Sequence, residues 1–286
     1  MGVTIVGCGD IGTRVALAYR DEGVDVAGWV RTQQSAEKLR DVAIEAVQID
    51  LDRPVMPASE IESQRLYYFA PPPPQGQQES RVAQFIAQLK NRPLPQKVVY
   101  LSTSGVYGDC RGEWVDESRP PAPMADRAKR RLDGEQRWRA WSEQTGCALV
   151  ILRVAGIYGP GKLPVERLRS GQPMVAEAEA PITNHIHSLD LVKTARIAMQ
   201  RGVSGEVYNV CDGAPEPMTR YFNRVADFLG LPRPPVISLE EAQQQLSPGM
   251  LSYLRESRRL SNRKLLDELE VELDYPDLQQ GLPASV

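Results

Sequence analysis

Apolar residues fall in short, evenly spaced blocks along the first two-thirds of the chain. Val3–Val6, Val24–Val30, Ala43–Ile49, Leu66–Ala70, Val98–Ser102 and Ala148–Val154 read as strands. Between them lie stretches with helical spacing: Ile11–Asp21, a helix capped by Ser35 and running to about Arg40, Val82–Leu89, and the long charged run Asp126–Gln144. Strand and helix in alternation predict a parallel sheet with crossover helices. Val98–Ser102 is apolar nearly throughout, which places it centrally in that sheet. From Gly159 the texture changes, with more glycine and proline and shorter strands. Leu189–Met199 reads as a helix, Glu206–Val210 as a strand, and Thr219–Leu229 as an amphipathic helix starting at a Thr cap. Ala242–Arg259 and Asn262–Leu269 read as short helical pieces. The alternating charges from Arg255 to Glu272 fit a solvated helix face better than an interaction tail.

The first of these boundaries carries the strongest chemistry. Gly7, Gly9 and Gly12 form GxGxxG between an apolar strand and a helix. Gly7 permits the sharp turn. Gly9 lets a pyrophosphate approach the backbone. Gly12 allows close helix–strand packing. The helix N-terminus, at Asp10 and Ile11, then offers free N–H groups and a positive dipole end to phosphates. The motif in this context predicts a dinucleotide site.

The cofactor is read at the end of the second strand. A carboxylate there binds the ribose 2′-OH of NAD, and an arginine accommodates the 2′-phosphate of NADP. The stretch Gly28-Trp29-Val30-Arg31-Thr32 has no acid. Arg31 and Thr32 therefore favour NADP over NAD. Arg14 is a second cue, because a cation in the first helical turn opposes the macrodipole unless a phosphate lies near. Asp50 and Leu51 follow the third strand and would border the adenine, with Asp52 beside them. Ala70, at the end of the fourth strand, leads into Pro71–Pro74, which supply shape rather than hydrogen-bond donors.

Composition narrows the alternatives. A chain of 286 residues should bury about three quarters of its unfolded surface without staples. The formal net charge of −3 argues against nucleic-acid binding. No apolar run approaches the roughly 20 residues of a membrane span, and the N-terminus enters a strand directly. Cys8, Cys110, Cys147 and Cys211 form no CxxC pair and suit reduced thiols in a cytoplasm. His185 and His187 are too few for a histidine metal site, so no metal is expected.

Further motifs give the pattern a family. Leu101–Gly108 resembles the SS(S/T)xxVYG stretch of the extended short-chain dehydrogenases/reductases, the NAD-dependent epimerase/dehydratase family. Glu117 then precedes a Pro-rich run to Pro123, and Leu152–Gly161 resembles LRxxxVYGPG. Ile186–Leu191 resembles (V/I)HxxD(L/V), and Gly205–Val210 resembles GxxYNV. The resemblance covers essentially the whole chain. It implies an α/β fold, a Rossmann-type doubly wound parallel sheet with a smaller interleaved C-terminal substrate domain. Residues 1–158, completed by about 185–212, would form the dinucleotide domain. Residues 159–184 and 213–286 would form the substrate domain. It also implies hydride chemistry on a sugar-like or nucleotide-linked alcohol, NADP or NAD as cofactor, a small-molecule substrate, and a homodimer as the default assembly. A hydroxyacid-type dehydrogenase can also open with GxGxxG, but it would need an all-helical C-terminal half.

By the same resemblance Thr103 takes the family's catalytic Ser/Thr position, with Ser102 beside the cofactor. Ser104, Tyr107 and Tyr158 would lie near the substrate. The two phenols are read first as packing under the loops. His187 and Asp190 would hold the substrate domain against the sheet. Two departures stand out. Arg127 and Arg131 occupy the positions of the family's Tyr and Lys. Arginine titrates at about 12.5–13.8 against about 10 for tyrosine and offers donors without an acceptor, so Arg127 cannot be the general base. Arg127 and Arg131 share a helix face with Glu135. They would either hold a phosphate or carboxylate or pair with Glu135 on a solvated face. Lys129, two residues from Arg127, points elsewhere. Gly156 replaces the family's substrate-touching Asn. A dinucleotide-binding sensor or scaffold without chemistry is therefore the alternative to an enzyme.

Overall fold

The computed structural model describes residues 2–53, 65–90 and 92–286. Seven parallel strands form the central sheet: β1 Val3–Val6, β2 Val26–Val30, β3 Glu45–Gln48, β4 Arg65–Tyr68, β5 Lys97–Thr103, β6 Ala148–Val154 and β7 Val207–Val210. Their order is β7-β6-β5-β4-β1-β2-β3. Val6 pairs with Trp29 of β2 on one side and Tyr68 of β4 on the other. The chain winds one way from β1 through β2 to β3 and the other way from β4 outward. The order reverses between β1 and β4, and such a switch point opens a crevice at the strand C-termini.

Period-two alternation explains why the strands read as solid apolar blocks. Val3, Ile5, Tyr67, Val99, Val150 and Leu152 face one core. Val6, Leu66, Tyr68, Val98, Tyr100, Leu149 and Ile151 face the other. Neither face of these inner strands is wetted, so no polar alternation survives there; only the edge strand β3 exposes polar residues, Glu45 and Gln48. Helices α1 (Asp10–Asp21), α2 (Gln33–Asp41) and α5 (Ser188–Arg201) put Val15, Leu39 and Leu191 into the first core. Helices α3 (Ser80–Leu89) and α4 (Asp126–Thr145) put Phe85, Trp138 and Trp141 into the second. A third cluster, Tyr158, Leu168, Met174, Tyr221, Phe222, Val225, Leu278 and Leu282, packs around helix α6 (Met218–Phe228).

Several boundaries differ from the sequence reading. The cap of α2 is Thr32, whose hydroxyl accepts the Ser35 N–H at 3.2 Å, rather than Ser35. Thr219 lies inside α6 and donates its hydroxyl to the Val175 carbonyl at 2.7 Å instead of capping. The stretch 242–259 is not one helical run. It holds parts of two short helices, Leu239–Gln245 and Pro248–Leu254, and then Arg259–Leu260 pairs in parallel with Trp114–Val115. The charged run 255–272 does present a solvated face: Arg263, Asp267 and Glu268 of the helix Arg263–Leu269 are exposed while Leu265 and Leu269 are buried, and Glu256 is the one buried charge of the run. Strands beyond residue 159 exclude an all-helical C-terminal half. Among the described residues, no helix is long and apolar enough to cross a membrane.

Candidate active site

A cavity of about 450 Å³ opens at the switch point. Its walls include Gly7, Gly9, Asp10, Ile11 and Gly12 of the glycine turn, Arg31, Thr32 and Ser35 at the end of β2, and Asp50 and Leu51 after β3. The three glycines are distinguished by what a side chain would meet. Gly7 has φ +85°, and a Cβ there would lie 2.3 Å from the Ala70 nitrogen, so only glycine makes this turn. A Cβ on Gly12 would approach the Gly7 carbonyl to 3.0 Å and the Ile5 side chain to 3.1 Å. A Cβ on Gly9 would meet nothing within 4 Å, so it would project into open space. Helix α1 begins directly after Gly9, and no side chain caps it. Its first N–H groups are thus free of side-chain partners at a cavity wall, as a diphosphate requires. A dinucleotide fits these residues.

Charged side chains frame the same cavity. Arg81 is 7 % exposed, pairs with the Asp52 carboxylate at 2.6 Å, and donates to the Pro71 carbonyl at 2.9 Å. It ties the loop after β3 to the proline run. Its hydrogen bond, helped by the charge of Arg31, holds the Asp52 carboxyl below its ordinary value. Lys162 reaches in from the loop beyond β6 and meets Asp10 at 3.0 Å. Burial alone would raise the Asp10 carboxyl, but Lys162 and then Arg14 hold it below the usual carboxylate range. Arg14 pairs with Asp10 at 3.2 Å, so the carboxylate one turn earlier accounts for it without a phosphate. Sequence reasoning missed Arg81, Lys162 and Ser35. Ser35 lies 2.8 Å, oxygen to oxygen, from the Thr32 hydroxyl, and the Ser/Thr pair after Arg31 was its available signal. The buried Cys8 thiol is pushed up to about 12 by desolvation, which keeps it un-ionised in this wall.

A second cavity, of about 490 Å³, adjoins the first: Pro71 lines one and Pro72 the other. Thr103, Ser104, Arg127, Arg131, Gly156, Asn184, Tyr253, Glu256 and Arg258 line it. Thr103 accepts the Gly105 N–H at 3.2 Å. The guanidinium of Arg127 stacks 4.0 Å from the ring centre of Tyr253 and donates to the Ser252 hydroxyl at 2.7 Å. Arg131 donates to the carbonyls of Ala70 and Leu101 at 3.2 and 3.0 Å. It therefore clasps the ends of β4 and β5 between the two cavities. Neither arginine pairs with Glu135.

Glu135 belongs to a buried network instead. It is 1 % exposed and takes two bonds from Arg153, at 3.1 and 2.8 Å, and one from the Ser102 hydroxyl at 2.6 Å. The Arg153 guanidinium lies 4.8 Å from the ring centre of Tyr107, whose hydroxyl donates to Asn209 at 2.8 Å. The Asn209 N–H donates to Glu117 at 2.6 Å. Ser102 is thus moved from the cofactor-facing set to this scaffold, and Tyr107 packs in it, as its first reading had it, without lining either cavity. Burial pushes the Tyr107 phenol up to about 12. Tyr158 packs likewise. It is fully buried, donates to the Asp277 carbonyl at 3.2 Å, and its phenol is raised by desolvation. His187 accepts the Leu189 N–H through Nδ1, and Asp190 accepts the N–H groups of Asp274 and Tyr275 at 2.8 and 2.9 Å. Both residues fasten α5 rather than face the cavities.

Glu79 gives this region a pH signature. It is 1 % exposed, and desolvation pushes its carboxyl up to about 7 against the opposing charge of Arg131. The folded state therefore holds a proton that the unfolded chain releases above about pH 4.5. Stability from this group is complete below that pH and lost as pH rises through about 7. Glu79→Gln is expected to melt higher than the parent at about pH 8 and to lose most of that advantage at about pH 5. Thermal unfolding at the two pH values checks this.

Comparison with known proteins agrees with the geometry. Residues 77–211 match the model of the NAD dependent epimerase/dehydratase family. The chain is 25% identical to Protein YeeZ of Escherichia coli (strain K12) over 283 residues, 96% of either chain. A functionally unknown conserved protein from Silicibacter pomeroyi DSS superposes with a TM-score of 0.87 at 30% identity, over 99% of this chain and 98% of that one. The UDP-glucuronic acid 4-epimerase of Bacillus cereus, solved in complex with NAD, shares the fold at a TM-score of 0.78 and 16% identity, over 100% and 97% of the two chains. The match runs through Thr103, through the helix that carries Arg127 and Arg131, and through both partners of the Glu135–Arg153 pair; over residues 77–211 this chain is similar to the NAD dependent epimerase/dehydratase family.

Proposed function

We infer that the first cavity binds NADP(H) and that the second binds a sugar-like or nucleotide-linked alcohol carrying an anionic group, on which the protein acts as an oxidoreductase or isomerase. The observation that carries this reading is the open position at Gly9, facing the uncapped start of α1 at the switch point. The bound NAD of the Bacillus cereus epimerase supports it by shared fold. The open backbone at Gly9 and the backbone N–H groups of Asp10, Ile11 and Gly12 would receive the diphosphate. Asp50 and Leu51 would border the adenosine. Arg31, Thr32 and Ser35 would take the 2′-phosphate, since the end of β2 offers a guanidinium and two hydroxyls but no carboxylate.

When bound, the nicotinamide supplies a two-electron hydride exchange with a carbinol or carbonyl carbon. The chain's own residues do the rest. Thr103 donates to or accepts from the reacting oxygen. Arg127, Arg131 and Arg258 give the second cavity a positive lining opposite a single carboxylate, Glu256, which favours a substrate bearing phosphate or carboxylate. Tyr253, held on Arg127, is the one tyrosine among the residues lining that cavity. Residues 159–184 and 213–286 would close over this cavity as the substrate-binding unit.

The competing reading, a sensor or scaffold without chemistry, draws on the same Arg127 and Arg131 in place of a general base and its lysine. Oxidation of NADPH by the purified protein in the presence of a sugar-nucleotide or carbonyl panel favours the enzyme. Redox-dependent binding without turnover favours the sensor. The cofactor assignment is tested with Arg31→Ala. Its NADP⁺ affinity is expected to fall about tenfold or more, the worth of one charge-assisted contact, with NAD⁺ binding unchanged. Equal losses for both nucleotides in a calorimetric titration would refute the 2′-phosphate site.

A further inference from the structure

Lys162 lies outside the glycine turn, yet it is placed to act there. The loop that carries it follows Gly159, and its neighbour Leu163 packs against the third apolar cluster. The Lys162 N–H bonds to the Gly159 carbonyl at 3.0 Å, and its ammonium crosses the cavity to Asp10 at 3.0 Å. Asp10 is the first residue of α1, where the diphosphate would sit. A carboxylate at that point repels a phosphate. An ammonium beside it has three donors and can serve a carboxylate and a phosphate oxygen together. The pair is only partly covered, at 25% and 44% exposure, so the side chain has room to shift.

We propose that Lys162 is a diphosphate-binding residue. It exchanges part of its contact with Asp10 for the incoming dinucleotide, and so joins the C-terminal cluster to the bound cofactor. The inference rests on the dinucleotide reading of the first cavity. A purely structural salt bridge makes a different forecast. In that case removing either partner breaks the same contact, and the two variants behave alike. If Lys162 binds the diphosphate, the two variants move in opposite directions.

The experiment is calorimetric titration of the full-length protein, Lys162→Met and Asp10→Asn with NADP⁺ and with adenosine 2′-monophosphate, which has the 2′-phosphate but no diphosphate. Lys162→Met is expected to bind NADP⁺ about 10- to 100-fold more weakly, the worth of one charge-assisted hydrogen bond, and to bind adenosine 2′-monophosphate as the parent does. Asp10→Asn removes the repelling carboxylate and keeps the backbone N–H, and is expected to bind NADP⁺ more tightly than the parent. Equal weakening in both variants, or unchanged NADP⁺ binding by Lys162→Met, overturns the proposal. Failure of the parent itself to bind NADP⁺ or NAD⁺ overturns the cofactor reading and the proposal with it, and the parent titration alone reveals that case. A melting temperature for each variant confirms that the folded protein is being compared.

Discussion

Gly9→Val is expected to lose NADP(H) binding by at least about a hundredfold while its melting temperature stays within roughly 1–2 °C of the parent. A side chain at Gly9 enters open space rather than protein, so folding has little to resist it. The same space is where the diphosphate would approach the backbone, so the isopropyl group displaces the ligand instead of a neighbour. Losing two charge-assisted contacts at about 1.5–3 kcal/mol each accounts for that factor. Gly7→Ala makes the contrast. It forces a Cβ to 2.3 Å from the Ala70 nitrogen at φ +85° and should fail as a fold before its binding can be measured. Normal NADP(H) affinity in a well-folded Gly9→Val protein would show that the cavity does not hold a diphosphate at this turn.

Glu135→Ala should carry the largest stability loss of any single charge removal in the scaffold. It strands Arg153, whose side chain is 4% exposed, and takes the acceptor from Ser102. Breaking a buried pair from one side costs about 3–5 kcal/mol, or roughly 6–15 °C in a chain of this size. The double variant Glu135→Leu/Arg153→Met leaves no orphaned charge and is expected to melt well above Glu135→Ala. Differential scanning calorimetry of the three proteins tests this. A drop of less than about 2 °C for Glu135→Ala would mean that water reaches Arg153 and that the network does not hold the motifs together.

The parts of this molecule that were legible in the sequence are those governed by local rules. Strand periodicity placed all seven sheet strands to within a few residues, because the inner strands are buried on both faces and read as nearly unbroken apolar blocks, while the edge strand β3 keeps only its central residues apolar. The glycine turn was legible because its spacing lies within six residues, with Gly7 and Gly12 meeting steric demands of the fold and Gly9 leaving the space before α1 open. Arg31, Asp50 and Ala70 were placed by counting from strand ends, and all three line a cavity wall. What stayed hidden depends on partners distant in sequence. The family resemblance places Ser102 beside the cofactor and Tyr107, read first as packing, near the substrate. Their acceptors, Glu135 and Asn209, lie 33 and 102 residues away. Arg81 lies just before the helix expected from Val82, and its partners, Asp52 and the proline carbonyls, come from other segments of the chain. The α2 cap was misplaced by three residues because Thr32 and Ser35 are both good caps. The charged helix α4 hid a buried Glu135 because charge runs usually mark solvated faces.

The most direct test is calorimetric titration of the parent protein with NADP⁺, NADPH, NAD⁺ and NADH at one ionic strength. Saturable binding at one site per chain, with the phosphorylated pair tighter than the other two, is the expected result. Absence of binding by all four would reduce the glycine turn to a structural device and contradict the dinucleotide reading outright.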